Sequence, residues 1–433
     1  MMFQTVRGTF DVLPFFQGSM DEVIPSSHAW NYAENVVRGV LERFGFEEIR
    51  TPIIEPLGLV ARGVGQTTDI VQKEMFVVKR EDEDYVLRPE VTAPVMRAYL
   101  EHALHQRGGT QRLYYIGPCF RAERPQKGRF RQFHQFGIEL LGSGAPASDA
   151  EAIACLRAVY DAFGITDTRL RLNALGSGES RERYRDALRA YFAPHRETLS
   201  ATSQQRLHQN PLRLLDTKDE RERALLAGAP RLTDFLGEED RAHFDTVQAL
   251  LTDLGIPFVV DPLLVRGIDY YTGVVFELES DGLGAQSALA AGGRYDGLAE
   301  MVGGKTTVPA VGWAAGFERL FLAAEATIYP PPPRLGIFIV ALGDDAQRWA
   351  FAEAQRLRAA GLAVTFDLQG RSMKAQMKEA DRQKARFAVI AGSNELASGE
   401  VLLRDLDTSE QQAVSLGGLA DALRARLPLG VAG

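Results

Sequence analysis

The sequence predicts an α+β domain built on a mostly antiparallel sheet flanked by helices, with a helical insertion, followed by a C-terminal α/β domain with a mixed sheet. Three observations predict it. Strand-like segments joined by loops occupy the chain up to residue 141 and return after 258; a charged, helix-rich stretch separates them; and the prolines Pro330 to Pro333 precede a region where strands and helices alternate. At 433 residues the chain also exceeds the ~250 to 300 at which one core stops growing, so two or three domains are expected.

Trp30, Ala33, Val37, Val40 and Phe44 recur at helical spacing, and Gly45 supplies the left-handed residue that ends the helix. Glu47 to Pro52 reads as a strand closed by its proline. Met75 to Lys79 and Tyr85 to Leu87 flank the acidic turn Glu81 to Asp84 as a hairpin would, and Thr92 is placed to cap a helix opening at Ala93 and Pro94. Leu113 to Phe120 and Arg131 to Leu141 pair across the loop Arg124 to Gly128, and a helix follows over Ala147 to Phe163. Residues 171–257 form the helical insertion. Strand-like, glycine-bearing segments resume at Leu263 to Leu278 and Ala290 to Leu298, so the first domain comprises 1–170 and 258–328. After a linker at 329–333, the last domain, 334–433, carries strands at Leu335 to Val340, Ala363 to Asp367, Phe387 to Ala391 and Glu400 to Asp405. Helices near Asp345 to Ala360, Ser372 to Lys384 and Gly418 to Leu427 accompany them.

The composition, 45% hydrophobic and 24% charged, is that of an ordinary soluble protein, and no apolar run approaches the ~20 residues of a membrane span. Met1 to Asp11 lacks the apolar stretch of a secretory signal, which points to the cytoplasm. The two cysteines, Cys119 and Cys155, lie outside any paired Cys/His spacing and read as buried small hydrophobes; neither a disulfide framework nor a metal site is expected. A net charge of −8 argues against a protein that coats DNA or other nucleic acid indiscriminately. Two basic islands stand out against it. Arg121 to Arg131 carries five cations against Glu123, and Arg371 to Arg386 carries six against Glu379 and Asp381. The first is a strand end and loop suited to phosphate, because an arginine's planar fork holds phosphate oxygens where lysine offers a point charge. The second reads either as a solvated helix face or as a second phosphate contact.

Strand parity from Arg131 to Leu141 puts Gln135, Gly137, Glu139 and Leu141 on one face and His134, Phe136, Ile138 and Leu140 on the other. The second face is the core, and His134 on it reads as a satisfied core histidine. The first carries an amide and a carboxylate ~13 Å apart with a glycine gap between them, a floor for a small polar substrate. In Leu263 to Glu277, Gly267 and Gly273 interrupt a strand-like run that carries Arg266, Asp269, Tyr270 and Tyr271; adjacent tyrosines on a strand point opposite ways, so at least one is expected in the core. Gly292 to Gly297 reads as a glycine-rich turn. Gly303-Gly304-Lys305-Thr306 fails as a phosphate loop, because Ala299 occupies the position of its first glycine.

These segments, in this order, resemble the class II aminoacyl-tRNA synthetases and, within them, the histidyl-tRNA synthetases, over essentially the whole chain. Gly45 to Pro52 is similar to the class motif at the dimer interface, Phe120 to Gln135 to the second motif, and Gly312 to Leu320 to the third. Leu264 to Thr272 and Ala291 to Leu298 are similar to the two signatures of the histidine enzymes. The resemblance implies a catalytic first domain, an anticodon-binding last domain and a homodimer. It implies L-histidine, ATP with Mg2+ carried on its phosphates, and the tRNA for histidine as partners. Arg121 and Arg319 match arginines on the ATP phosphates, Glu123 and Arg129 further nucleotide contacts, and Arg266 an arginine beside the α-phosphate. Glu90 and Thr92, in Leu87 to Thr92, with Gln135, match the groups around the substrate amino group. Val91 departs there from the family's glycine. Glu139, Tyr271 and Tyr295 match the readers of imidazole, with Tyr270 beside them; Gln126 and Lys127 match the loop at the tRNA acceptor end, and Arg371 and Lys374 are candidate contacts in the last domain. Three other readings compete: a regulatory relative that binds histidine without charging tRNA, a prolyl or threonyl type enzyme of the same class, and a nucleotide-binding module without catalysis. Arg121, Arg266, Arg319 and a full last domain weigh against the first, Arg266 and Tyr295 against the second, and the third would make the converging polar groups a coincidence.

Overall fold

The computed structural model describes residues 5–14, 17–19, 22–66, 68–81, 83–126, 128–176, 178–217, 219–280, 283, 287–324, 334 and 336–427. It divides into two compact units, 1–329 and 330–433. The expected linker at 329–333 lies outside the described residues.

An eight-stranded sheet organises the first unit, in the spatial order Val259–Val260, Arg169–Ala174, Val274–Glu279, Ala288–Arg294, Ala310–Gly316, Gln132–Leu141, Gln111–Phe120, Glu47–Glu48. Neighbours run antiparallel except for the outermost strand at each edge, which is parallel. The helices Ser27–Arg43 and Pro146–Ala162 cover one face. Ser26 caps the first, its hydroxyl accepting from the Ala29 amide, and Gly45 ends it at φ +76°. Trp30, Ala33, Val37 and Val40 all bury, as the spacing requires; each large apolar side chain so buried contributes ~1.5–3 kcal/mol. Across this layer Trp30 meets His134, Phe317 and Phe321, and the Trp313 indole donates to the Ala152 carbonyl at 2.9 Å.

Four expectations change. The strand expected over Glu47 to Pro52 pairs only at Glu47–Glu48, because Pro52 cannot donate and the chain turns away; Ile54–Pro56 joins a separate sheet with the hairpin Phe76–Arg80 and Glu83–Leu87. Arg169–Ala174, which overlaps the start of the expected insertion, is a strand second from one edge of the sheet, and the first helix after it opens at Gly178. The buried side chains of the helical segment, among them Tyr184, Leu188, Phe244 and Val247, share one continuous core with the sheet. The stretch Leu263 to Thr272 is an irregular loop, and pairing starts only at Val274. Finally, Gly292 and Gly293 lie within the strand Ala288–Arg294 and not in a turn: a Cβ on Gly292 would meet the Gly312 carbonyl at 2.3 Å and Trp313 Cβ at 2.6 Å.

The second unit has a five-stranded sheet in the order Val364–Phe366, Ile337–Leu342, Phe387–Gly392, Glu400–Asp405, Gln411–Ser415. The first three are parallel and the last two antiparallel, giving the expected mixed sheet, with helices Asp344–Ala359, Met373–Arg382 and Leu419–Arg424 where the periodicity put them. The edge strand Gln411–Ser415 and the short helix Ser393–Ser398 are additional. Among the described residues no helix is long and apolar enough to cross a membrane.

Candidate active site

One face of the large sheet is nearly free of bulky side chains at its centre. Register puts Gln135 opposite Gly117 and Gly316, Gly137 opposite Tyr115 and Ala314, and Glu139 opposite Leu113 and Gly312, with Ala291 and Gly293 continuing the rows. Above this floor opens a cavity of about 360 Å³. Its lining comes from six places in the chain: Glu74; Glu90 and Thr92; Arg121 to Gln135; Arg266 to Glu277; Ala288 to Ala291; and Ala314 to Arg319. Gly312 is needed for Glu139, because a Cβ there would stand 1.9 Å from Glu139 Oε2 and 2.3 Å from the Ile138 carbonyl.

Glu139 is fully buried behind the cavity wall. Thr92 Oγ1 donates to its Oε1 at 2.7 Å and the Tyr295 hydroxyl donates to its Oε2. Burial pushes its carboxyl up to about 8, against the two donated hydrogen bonds that favour the charged form. Thr92 therefore does not cap its helix. Glu90 does so: its two oxygens accept from the Thr92 and Ala93 amides at 2.7 and 3.0 Å at the start of Thr92–Glu101. Burial raises its pKa also, opposed by those amides and by Arg121. Tyr295 is held in place through its neighbour Arg294, which pairs with buried Asp149 at 2.5 Å; His243 from the helical segment bonds the same carboxylate at 3.0 Å.

Arg121 leaves the long hairpin with Nε donating to the Pro89 carbonyl at 3.1 Å and its guanidinium 5.2 Å from the Phe133 ring centroid. Arg129 bonds Glu123 at 3.0 Å, and Arg319 donates to the Ala288 carbonyl. Burial, then the charge of Arg129, lowers the Arg319 pKa, so the cavity already crowds positive charge there. Arg266 is paired with Glu277, which also meets Arg171 at 3.5 Å.

Of the side chains expected at the site, Glu90, Thr92, Arg121, Glu123, Arg129, Gln135, Arg266, Tyr270, Tyr271 and Arg319 line this one cavity. Glu139 and Tyr295 stand behind its wall. Both Tyr270 and Tyr271 are buried in it, with ring centroids 4.7 Å apart, which corrects the strand-based expectation that they diverge; off a strand, alternation does not apply. Of the expected tRNA-contacting residues, Gln126 forms a two-residue bridge with Arg129, and Lys127 lies outside the described residues. Arg371 is bonded to Asp367 at 2.6 Å, and Lys374 is exposed on the helix Met373–Arg382. Sequence reasoning gave no role to Glu74, Phe133, Glu277 or Glu318. Phe133 was accessible to it, since it lies two residues from Gln135 on the same face; Glu74 comes from a one-turn helix with no distinguishing pattern. His134 is satisfied as expected, its Nδ1 3.1 Å from Glu318.

The histidyl-tRNA synthetase family model matches residues 20–320, and an anticodon-binding domain model matches 336–426. The histidine–tRNA ligase of Chloroherpeton thalassium is 49% identical over 422 residues, 96% of this chain and 96% of that protein. That of Aromatoleum aromaticum is 47% identical, with 97% and 94% covered. Among solved structures, apo histidyl-tRNA synthetase from S. aureus superposes with a TM-score of 0.81 at 36% identity, covering 97% of this chain and 99% of that one. The Nostoc histidyl-tRNA synthetase gives 0.67 at 25% identity, covering 99% and 100%. Matched by the family model over most of its length and by a relative at 49% identity across 96% of it, the chain belongs to the histidyl-tRNA synthetase family.

Proposed function

We propose that the cavity carries both half-reactions of a histidine–tRNA ligase: L-histidine and ATP give histidyl-adenylate and pyrophosphate, and the histidyl group then passes to the 3′ end of its tRNA. One observation carries this reading. Ten side chains expected from separate motifs converge on one cavity, with a buried carboxyl–tyrosine–threonine group behind it.

Imidazole offers one donor and one acceptor, and Glu139 with the tyrosine hydroxyls supplies partners for both. Glu90, Thr92 and Gln135 face the ammonium, and the small residues Ala291, Ala314 and Gly316 leave a flat floor for the nucleotide. A site whose buried polar groups need the substrate's own rejects analogues lacking them by ~10⁴-fold, so no editing step is required. In the first step a histidine carboxylate oxygen bonds to the α-phosphorus as the bond to pyrophosphate breaks. Arg121 and Arg266 meet the charge on the α-phosphoryl oxygens, and Arg319 the distal phosphates. In the second, the terminal ribose hydroxyl of the tRNA bonds to the acyl carbon and AMP leaves.

Magnesium neutralises phosphate charge when it is carried in on ATP. Wall carboxylates would help hold it in at most one or two places, because Glu123, Glu277 and Glu318 are already bonded to Arg129, Arg266 and His134. The residues 336–426 take the anticodon end of the tRNA, with Lys374 and Arg371 on phosphate, and Gln126 and Lys127 meet the acceptor end. The protein acts in the cytoplasm as a homodimer, its first domain being the catalytic one and its helical segment an insertion within it. The decisive experiment is pyrophosphate exchange into ATP: it must depend on L-histidine, and dependence on proline would reject the assignment. Charging of tRNA by the purified chain alone separates it from a histidine-binding regulatory relative.

A further inference from the structure

A polar junction between the helical segment and the loop Leu263 to Thr272 takes no part in the chemistry above. Arg181, in the first turn of Gly178–Phe192, donates from Nη1 to the Tyr271 carbonyl at 2.7 Å. Asn210 donates to Asp269 Oδ1 at 3.0 Å, and Arg213 reaches the Gly267 carbonyl at 3.4 Å. From the other side the Asp269 amide donates to the Val64 carbonyl, and Gly65, at φ +107°, gives Asp269 its room: a Cβ there would sit 2.4 Å from the carboxylate. The loop has no strand ladder of its own, so these ties hold it.

Arg181 is an expensive way to make one such tie. Burial, then Arg185, lowers its pKa to about 10, and its Nε has no hydrogen-bond partner among the described residues. A side chain needed only to fill this half-buried space would be better apolar, since a charge largely withdrawn from water and bonded to one carbonyl is seldom stabilising, even with the carboxylates of Asp269 and Glu182 nearby. We propose that Arg181 is a positioning residue for histidine recognition: by holding the Tyr271 carbonyl it sets the paired rings of Tyr270 and Tyr271 against the Glu139 wall. The proposal rests on reading the cavity as the histidine site.

The test is steady-state pyrophosphate exchange with Arg181→Met and Arg181→Lys alongside the parent. Arg181→Met raises the KM for histidine ~10-fold, the worth of one hydrogen bond from a charged donor, leaves the KM for ATP within ~2-fold, and leaves the melting temperature equal or higher. Arg181→Lys recovers part of the histidine KM. A folded Arg181→Met with an unchanged histidine KM, or with both KM values raised alike, overturns the proposal. Should Arg181→Met not fold, Asn210→Ala cuts the neighbouring tie on the same loop and must give the same selective rise; equal or absent effects there overturn it. Lack of histidine-dependent exchange in the parent would instead reject the histidine assignment itself.

Discussion

Burial raises the Glu139 carboxyl to about 8, against the Thr92 and Tyr295 hydroxyls, and this makes its contribution to folding measurable. Its folded-state value, about 8, lies above the ordinary 4.5, so its contribution is complete below about pH 4.5 and is lost as the pH climbs to about 8. Glu139→Gln does not titrate. The melting temperature of this variant relative to the parent should therefore rise between pH 5 and pH 8 and level off above; a difference independent of pH would contradict the buried, protonated carboxyl. Gly312 tests the same group sterically. Gly312→Ala drives a methyl into Glu139 Oε2 and the Ile138 carbonyl, so a loss of ~1–3 kcal/mol in denaturant unfolding and a raised histidine KM are expected together. Parity alone put Gln135 and Glu139 on one face, because Gln132–Leu141 keeps one register against both neighbours, with no bulge to break the alternation. It could not show that the hydroxyls of Thr92 and Tyr295 both end on Glu139, since those contacts join segments 47 and 156 residues away.

Among the elements, regular ones were legible and irregular ones were not. The helix ending at Gly45, the hairpin Gln111–Phe120 with Gln132–Leu141 and the alternation after residue 334 follow from periodicity and turn chemistry. The loop Leu263 to Thr272 has apolar and aromatic residues enough for a strand, yet its partners are side chains of a distant helical segment and not a ladder, and local pattern carries no trace of them. That loop delivers Arg266. Arg266→Ala should lower kcat for exchange ~10²–10³-fold while the histidine dissociation constant stays nearly unchanged; an equal loss in both would assign it to binding alone. The helix Thr92–Glu101 depends on Glu90 in the way others depend on a serine cap. Glu90→Ala should cost ~1–2 kcal/mol in unfolding free energy and weaken histidine binding, whereas a stability change without a binding change would confine Glu90 to capping.

At the scale of the whole molecule the two units keep separate cores, with Tyr295, Phe136 and Trp313 in the first and Ile339, Val389 and Leu419 in the second. Residues 1–329 alone should keep histidine-dependent exchange but charge tRNA with kcat/KM reduced ~10²-fold or more, as when one of two linked contacts is cut; undiminished charging would remove the second unit from recognition. The proline run and the alternation beyond it made this division readable from sequence. The boundary at Gly178 was less so, because Arg169–Ala174 is a short strand whose partner, Val274–Glu279, lies beyond the helical segment. The sheet order also sets a clock. The inner edge of the long hairpin, Gln132–Leu141, waits for Ala310–Gly316, which is made about 170 residues later. At ~5–20 residues per second a ribosome leaves that row of amides and carbonyls unpaired for roughly ten to thirty seconds. Among the described strand pairs this is the longest wait, so during each round of synthesis the strand that bears Gln135 and Glu139 is the one that nascent-chain chaperones have most time to meet.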